Sequence, residues 1–532
     1  MKDEMNQFRS LRIATISTLT LVGLGLTACG SRNDDWNSYF EAGEVVGLDG
    51  SVAVFDRGLE RILFLTAPSS KQVASRAFSV GHDVQVVRAS KDRSSLFVLS
   101  AGEWPRTEPD DEKPRLQVFS GGPKLAEPTV YELDDPMGAL ALDPEGRWVA
   151  AFAGSATVTN PNEIVLLDLQ DPKAKPVSKT IRSFGGSPVE LSFTSELAVP
   201  RGPARRFLVA RTDRDVALID LSDPNREEIT VGLPKDEQGI PRVPVQIVHD
   251  DGDPDDKSDA RLAVRLVDSA DVVLLELAEP TAADRDFSVG YNIVDVGGVP
   301  TAIDFVRTDG GLRLAALVPS RQRATLVNPE TTLAEVVDLG GNFSSMTRIT
   351  NAVGDAPEGG DVALLWGEGK TFAFWSLGST SGTPYRAVDS TELDIQLSQV
   401  LDVPAPNEHL KVLVGESATT FYVLNLERRE SFPLMTREAG YRIEVSGDGN
   451  RLWAYAPGNP SFSAVRLSDL HPTQLDVYPE PSVVFDVARL DGGRAGLAIQ
   501  TSGGLSVTLL DANDPDSATT RYFPALELEE IQ

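Results

Sequence analysis

The residues able to do chemistry are few and scattered. Four histidines, His82, His249, His409 and His471, occur in 532 residues, and no two share the short spacings of a zinc site. They read as turn or strand-end side chains. The densest acidic stretch is His249-Asp-Asp-Gly-Asp-Pro-Asp-Asp-Lys-Ser-Asp259. Asp251, Asp253 and Asp255 alternate as oxygen ligands for Ca²⁺ would. Yet Asp256 and Leu262 stand where an EF-hand loop needs a glycine and a bidentate acid. The stretch is expected to be a solvated hairpin between Val245–Val248 and Leu262–Leu266. Glu103 to Lys113 is a second polar loop, with Trp104 as an exposed contact or a local cap. No Ser/His/Asp arrangement with supporting context occurs, nor a Gly-x-Ser-x-Gly elbow or a phosphate-cradling glycine loop. Gly185-Gly186, Gly310-Gly311 and Gly492-Gly493 fall at expected turns, where positive φ explains them. On this reading the chain offers no catalytic, cofactor-binding or metal residues. One thiol remains, Cys29.

The elements in front of that thiol give it a role. Lys2, Arg9 and Arg12 form a basic start, diluted by Asp3 and Glu4, and an apolar stretch runs from Ile13 to Leu26. At about 14 residues it is short of the roughly 20 that a membrane-crossing helix needs. A charged start, a short apolar run and small residues behind it mark a signal peptide. Leu26-Thr27-Ala28-Cys29 resembles the bacterial lipobox. That resemblance implies cleavage before Cys29, a diacylglycerol on its sulfur and usually an acylated new amino group; two or more acyl chains anchor stably where one does not. Gly30, rather than Asp, follows the cysteine. By resemblance to the enterobacterial sorting rule, this favours the outer membrane. The expected organisation is signal peptide 1–28, acylated tether 29–42 and a folded body 43–532.

With a single cysteine no intrachain disulfide can form, so a core must hold the body together, and a chain of this length can bury a large one. The formal net charge is −30. Such a surface repels nucleic acid and anionic headgroups, so no nucleic acid partner is expected; contact with the membrane would come through the lipid anchor.

A recurring unit organises the body: an apolar strand, a turn with Gly or Asp, a second strand, a loop and a third strand ending near Asp-Pro. One copy runs Met137 to Gly146, Arg147 to Phe152 and Glu163 to Leu169; another runs Tyr441 to Gly449, Arg451 to Tyr455 and Phe462 to Leu467. First strands begin near Val84, Met137, Pro188, Val243, Pro300, Ser344, Leu397, Tyr441 and Ser482, between 41 and 57 residues apart. That period suits four-stranded blades. Strands so close in sequence leave no room for helical crossovers. Runs such as Val165-Leu-Leu-Asp-Leu169 and Val272-Val-Leu-Leu-Glu-Leu277 are apolar on both faces, as in a strand sandwiched between layers.

The Asp143-Pro-Glu-Gly146 and Gly447-Asp-Gly449 turns, each followed by a strand, resemble the turn of YVTN-type and WD40-like propeller repeats. No copy contains the Tyr-Val-Thr-Asn tetrad or the Trp-Asp dipeptide. The resemblance covers most of residues 43 to 525 and implies an all-β fold, a β-propeller of four-stranded antiparallel blades with about 7–10 repeats; one embellished ring of seven or eight blades is preferred over two in tandem. Segment 51–80 matches strands two to four of a unit, and Ala525-Leu-Glu-Leu-Glu-Glu-Ile531 is expected to supply its missing first strand and close the ring. Propeller lipoproteins that act in outer-membrane assembly look broadly similar, but only Gly146–Trp148 echoes their glycine-to-tryptophan docking pattern, so that role is not transferred.

Two functions follow. The first is a non-enzymatic binding or interaction scaffold in the cell envelope, its partner another envelope protein. The second is a propeller enzyme (a hydrolase, lyase or quinoprotein-like dehydrogenase) with its site at the central channel. Three or more convergent titratable side chains lining a channel pocket would favour the enzyme.

Overall fold

The structure is a computed structural model. It describes residues 40–531 apart from 70–71, 123–124, 155–157, 159, 182–185, 251–260, 281–285, 309, 350–360, 368, 379–387, 437, 447–448, 468–474, 491–495, 503, 511–517 and 530. Forty strands form ten four-stranded antiparallel sheets, each built from four strands consecutive in sequence. The first strands are Ala42–Leu48, Val84–Ala89, Ala139–Leu142, Pro188–Phe193, Pro244–Asp250, Ala302–Thr308, Ser345–Ile349, Leu397–Asp402, Arg442–Val445 and Val484–Leu490. Most successive pairs of them touch around a common axis, and the last touches the first. Each sheet is one blade, numbered 1 to 10 in chain order. Nine of these strands begin within two residues of the starts expected from the repeat.

The apolar runs explain the ring. In Glu163–Asp168 the four residues Ile164 to Leu167 are all buried. Ile164 and Leu166 pack toward blade 4, and Val165 and Leu167 toward blade 2. A single sheet would leave one of these rows in water; burying a Val, Leu or Ile side chain is worth about 1.5–3 kcal/mol. Each blade therefore needs a neighbour on both sides. Ten core clusters result among the described residues, each drawn from two adjacent blades, including one between blades 10 and 1. A ring of seven or eight blades is thus corrected to one ring of ten: every repeat unit is a full blade.

Turn chemistry follows the sequence. At Asp143-Pro-Glu-Gly146 the Asp143 carboxylate accepts the backbone N–H groups of Glu145 and Trp148, at 3.0 and 3.2 Å. Gly146 turns the chain at φ +74°, a left-handed conformation that costs glycine little.

Closure departs from expectation. The described residues of 525–531 supply no strand. Ala525–Glu529 is a short helix, and blade 1 has its own first strand, Ala42–Leu48, paired with Ser51–Asp56. Gly43 and Gly47 dilute the β signal of that strand, but Gly47 is what closure requires. A Cβ there would lie 1.9 Å from the Arg489 carbonyl oxygen of blade 10. The first and last blades are then tied at one buried ion pair. Asp56, 0% exposed, accepts a bond from Arg61 at 3.0 Å and one from the Glu41 N–H at 3.0 Å. Arg61 also donates to the carbonyls of Leu528, at 2.6 Å, and Ile531. Leu528 itself is buried against blades 1 and 10. No helix among the described residues is long and apolar enough to cross a membrane.

Candidate functional site

A first strand has one edge paired within its blade and one edge open toward the axis. Open edges carry unpaired carbonyls and N–H groups, and here long polar side chains from neighbouring blades cover them. Arg88 donates to the Leu140 carbonyl at 3.2 Å, Arg93 to Gly47 at 3.0 Å and Arg348 to Phe305 at 3.1 Å. Arg489 donates to Val445. The Gln246 amide spans blades 5 and 6, donating a hydrogen bond to the Ile303 carbonyl and accepting one from the Ile303 N–H, at 3.1 and 3.3 Å. These side chains fasten neighbouring blades while leaving charge along the inner wall.

One sector of that wall gathers more than fastening needs. Gln399, Asp402, Arg442, Glu444, Tyr455, Asp486 and Arg489, from blades 8 to 10, line a cavity of about 570 Å³. Glu444, Asp486 and Arg489 also face a second cavity of about 350 Å³, which Lys91 and Arg93 of blade 2 enter. Asp486 follows a bulge in its strand, where pairing skips Phe485; a bulge bends the strand and re-aims the side chains beside it. The Tyr455 hydroxyl donates to Asp486 Oδ1 at 2.8 Å, and the same oxygen accepts the Val487 N–H at 2.9 Å.

Tyr455 is 3% exposed. Burial, and then the Asp486 charge and hydrogen bond, push its phenol well above the ordinary value of 10.0; a bond from Arg442 opposes this only in part. The phenol therefore stays protonated and serves as a donor, not as a base. Nearby, burial raises Tyr441 to about 12, and its hydroxyl donates to the Thr420 carbonyl at 2.7 Å. Guanidinium, carboxylate and phenol together form a wall of complementary donors and acceptors, suited to holding a polar or charged group in one orientation.

The sequence-derived candidates fall elsewhere. Cys29, the acidic run Asp251 to Asp259 and His471 lie outside the described residues. Asp250, at the head of that run, is buried at the end of a first strand. His82 bridges blades 1 and 2 through Glu60 at 2.6 Å, His249 sits in blade 5, and His409 enters blade 8, where its carbonyl accepts the Leu426 N–H. These three do not converge. In the second polar loop Trp104 is 41% exposed. Beside it Asp111 accepts the N–H groups of Thr107 and Glu108, and those bonds hold its carboxyl below the ordinary range; the loop organises itself.

What sequence reasoning missed is the set Arg442, Glu444, Tyr455, Asp486 and Arg489. A signal existed. Arg442-Ile-Glu-Val445 and Val484-Phe-Asp-Val-Ala-Arg-Leu490 put charges into first strands that otherwise alternate apolar residues, and a charge in a half-buried strand needs a partner.

The fold and this wall define a ten-bladed β-propeller with a charged inner cluster. No protein-family model matches the chain, and no curated protein matches its sequence. Among solved structures it is similar to the dihydro-heme d1 dehydrogenase NirN, at 12% identity and TM-score 0.35, covering 92% of this chain and 74% of that one. It is also similar to apo AztD from Citrobacter koseri, at 10% identity and TM-score 0.38, covering 84% of this chain and 96% of that one.

Proposed function

We propose that this chain is a bacterial lipoprotein, cleaved before Cys29 and acylated on it, sorted to the outer membrane, whose propeller is a binding scaffold for another envelope protein. The lipobox resemblance and the lone cysteine support the anchor, and the Asp-Pro-Glu-Gly and Gly-Asp-Gly turns support a YVTN/WD40-like origin of the blades. The binding role rests on one observation, the cluster of Arg442, Glu444, Tyr455, Asp486 and Arg489 at the inner wall. Its groups are held by one another and by strand edges, so they present a fixed pattern of charge. Binding costs least when the recognising groups are already ordered.

A photo-crosslinking side chain at Gln399, exposed in the same cavity, should capture a discrete envelope protein in intact cells. An adduct pattern identical to that from a position on the outer strands would overturn the scaffold reading. For the anchor, Cys29→Ala should accumulate as an uncleaved or mis-sorted precursor; unchanged membrane fractionation would contradict it.

The enzymatic alternative draws on the same convergence, since more than three titratable groups line this cavity. Its weakness is Tyr455, whose proton is held by burial and by Asp486. Turnover that survives Tyr455→Phe but not Glu444→Gln would favour it.

A further inference from the structure

A larger cleft, of about 890 Å³, opens between blades 6 and 7. It lies on the face where first strands begin, away from the inner-wall cluster. We propose that it binds an acidic oligosaccharide, with Arg321 pairing the sugar carboxylate. The volume falls in the range of small-molecule sites, roughly 300–1,000 Å³.

The lining carries the chemistry. Gln322, Asn342, Ser344, Thr371 and Ser390 supply short hydroxyl and amide groups, and Arg321 is the one charged residue among those that line the cleft. Hydroxyls and amides both donate and accept, which matches the vicinal hydroxyls of a sugar ring. Phe343 is buried beneath them, so the short polar groups stand on an apolar floor. No carboxylate lines the cleft, in a chain whose formal net charge is −30.

The Arg321 side chain makes no hydrogen bond or ion pair among the described residues, whereas Arg61, Arg88, Arg93, Arg348 and Arg489 each donate to a backbone carbonyl. The backbone that carries it is held in place. Pro319–Arg321 form a 3₁₀ turn, and Gln322 stands in the left-handed region at φ 55°, its N–H bonded to the Pro319 carbonyl. The Gln322 carbonyl accepts the Leu339 N–H at 3.0 Å. Across the cleft, Thr301 donates to the Ser344 carbonyl at 2.8 Å and ties blade 6 to blade 7. A guanidinium fork matches one carboxylate bidentately. A phosphate-rich ligand would call for several cations.

Titration calorimetry on the mature chain tests this with trigalacturonate, a hyaluronan tetrasaccharide and neutral maltotetraose. At least one acidic sugar should bind about tenfold or more tightly than maltotetraose. Arg321→Ala should erase that difference, and Arg321→Lys should restore part of it. Ser390→Trp, at an exposed position, should block the cleft and abolish binding while leaving the circular dichroism spectrum unchanged. The proposal fails if neither acidic sugar binds at millimolar concentration, or if acidic binding survives Arg321→Ala or Ser390→Trp undiminished. Crosslinking from Gln399 reports separately on the inner wall.

Discussion

Replacing Arg61 by Ala removes the residue that joins both ends of the ring. Its partner Asp56 has no exposed side-chain area, and Arg61 is nearly as buried, at 0% and 10%. Breaking a buried pair by removing one partner costs about 3–5 kcal/mol, because the remaining charge stays out of water. Here the Leu528 and Ile531 carbonyls lose their donor as well, which frees the C-terminal helix from blade 1. Unfolding entropy is roughly 2.1 cal/mol/K per residue, so a ring of roughly 490 residues gains about 1 kcal/mol/K, and the cost becomes a fall in Tm of about 3–5 °C. Scanning calorimetry measures it, and hydrogen exchange should show Leu528 losing protection before the blade interiors do. Arg57→Ala is the control. Arg57 faces Glu44 at 4.0 Å with both side chains more than half exposed, at 56% and 53%, and such pairs are worth about 0–1 kcal/mol. If both variants melt together, or Leu528 keeps its protection, the buried pair is not what closes the ring.

Three further outcomes follow from the same contacts. Gly47→Ala forces a methyl against the Arg489 carbonyl, 1.9 Å from its oxygen; overpacking of this kind costs about 1–3 kcal/mol or more, read as a lower denaturation midpoint. Asp143 feels burial that raises its pKa, but bonds from Arg206 and from the Glu145 and Trp148 backbone outweigh it and hold the carboxyl below 3.8. A depressed carboxyl stabilises the fold above its unfolded value and loses that contribution as pH falls through the folded one. The stability gap between wild type and Asp143→Asn should therefore be full above about pH 4 and shrink below it; a gap independent of pH would refute the assignment. Asp486→Asn takes away a charge that raises Tyr455. Tyrosinate absorbance should show that phenol ionising at lower pH than in wild type, yet still above 10.0 because burial persists.

Much of this molecule was legible in one dimension. The repeat of apolar strand, Gly or Asp turn and apolar strand is local chemistry: propensity, alternation and turn residues act over a few positions. Hence nine first strands could be placed within two residues, and the run from Val165 to Leu169 already announced a strand covered on both sides. The first strand of blade 1 escaped because Gly43 and Gly47 weaken its pattern. The alternation in Ala525 to Ile531 misled, because blade 1's inner position was already filled and the segment had no strand to pair with; it coiled, and buried Leu528 instead.

Ring size, and which inner-wall charges meet, are decided by the tertiary structure. Ten units are equally compatible with one ring or two until blade packs on blade, and closure joins Val45 to Phe523, residues at opposite ends of the chain. Arg93 meets Gly47, and Tyr455 meets Asp486, only because the axis brings separate blades together. Strand and turn are decided by neighbours in sequence. Which charges face one another is decided by how many wedges complete the circle, and that is a property of all the interfaces at once.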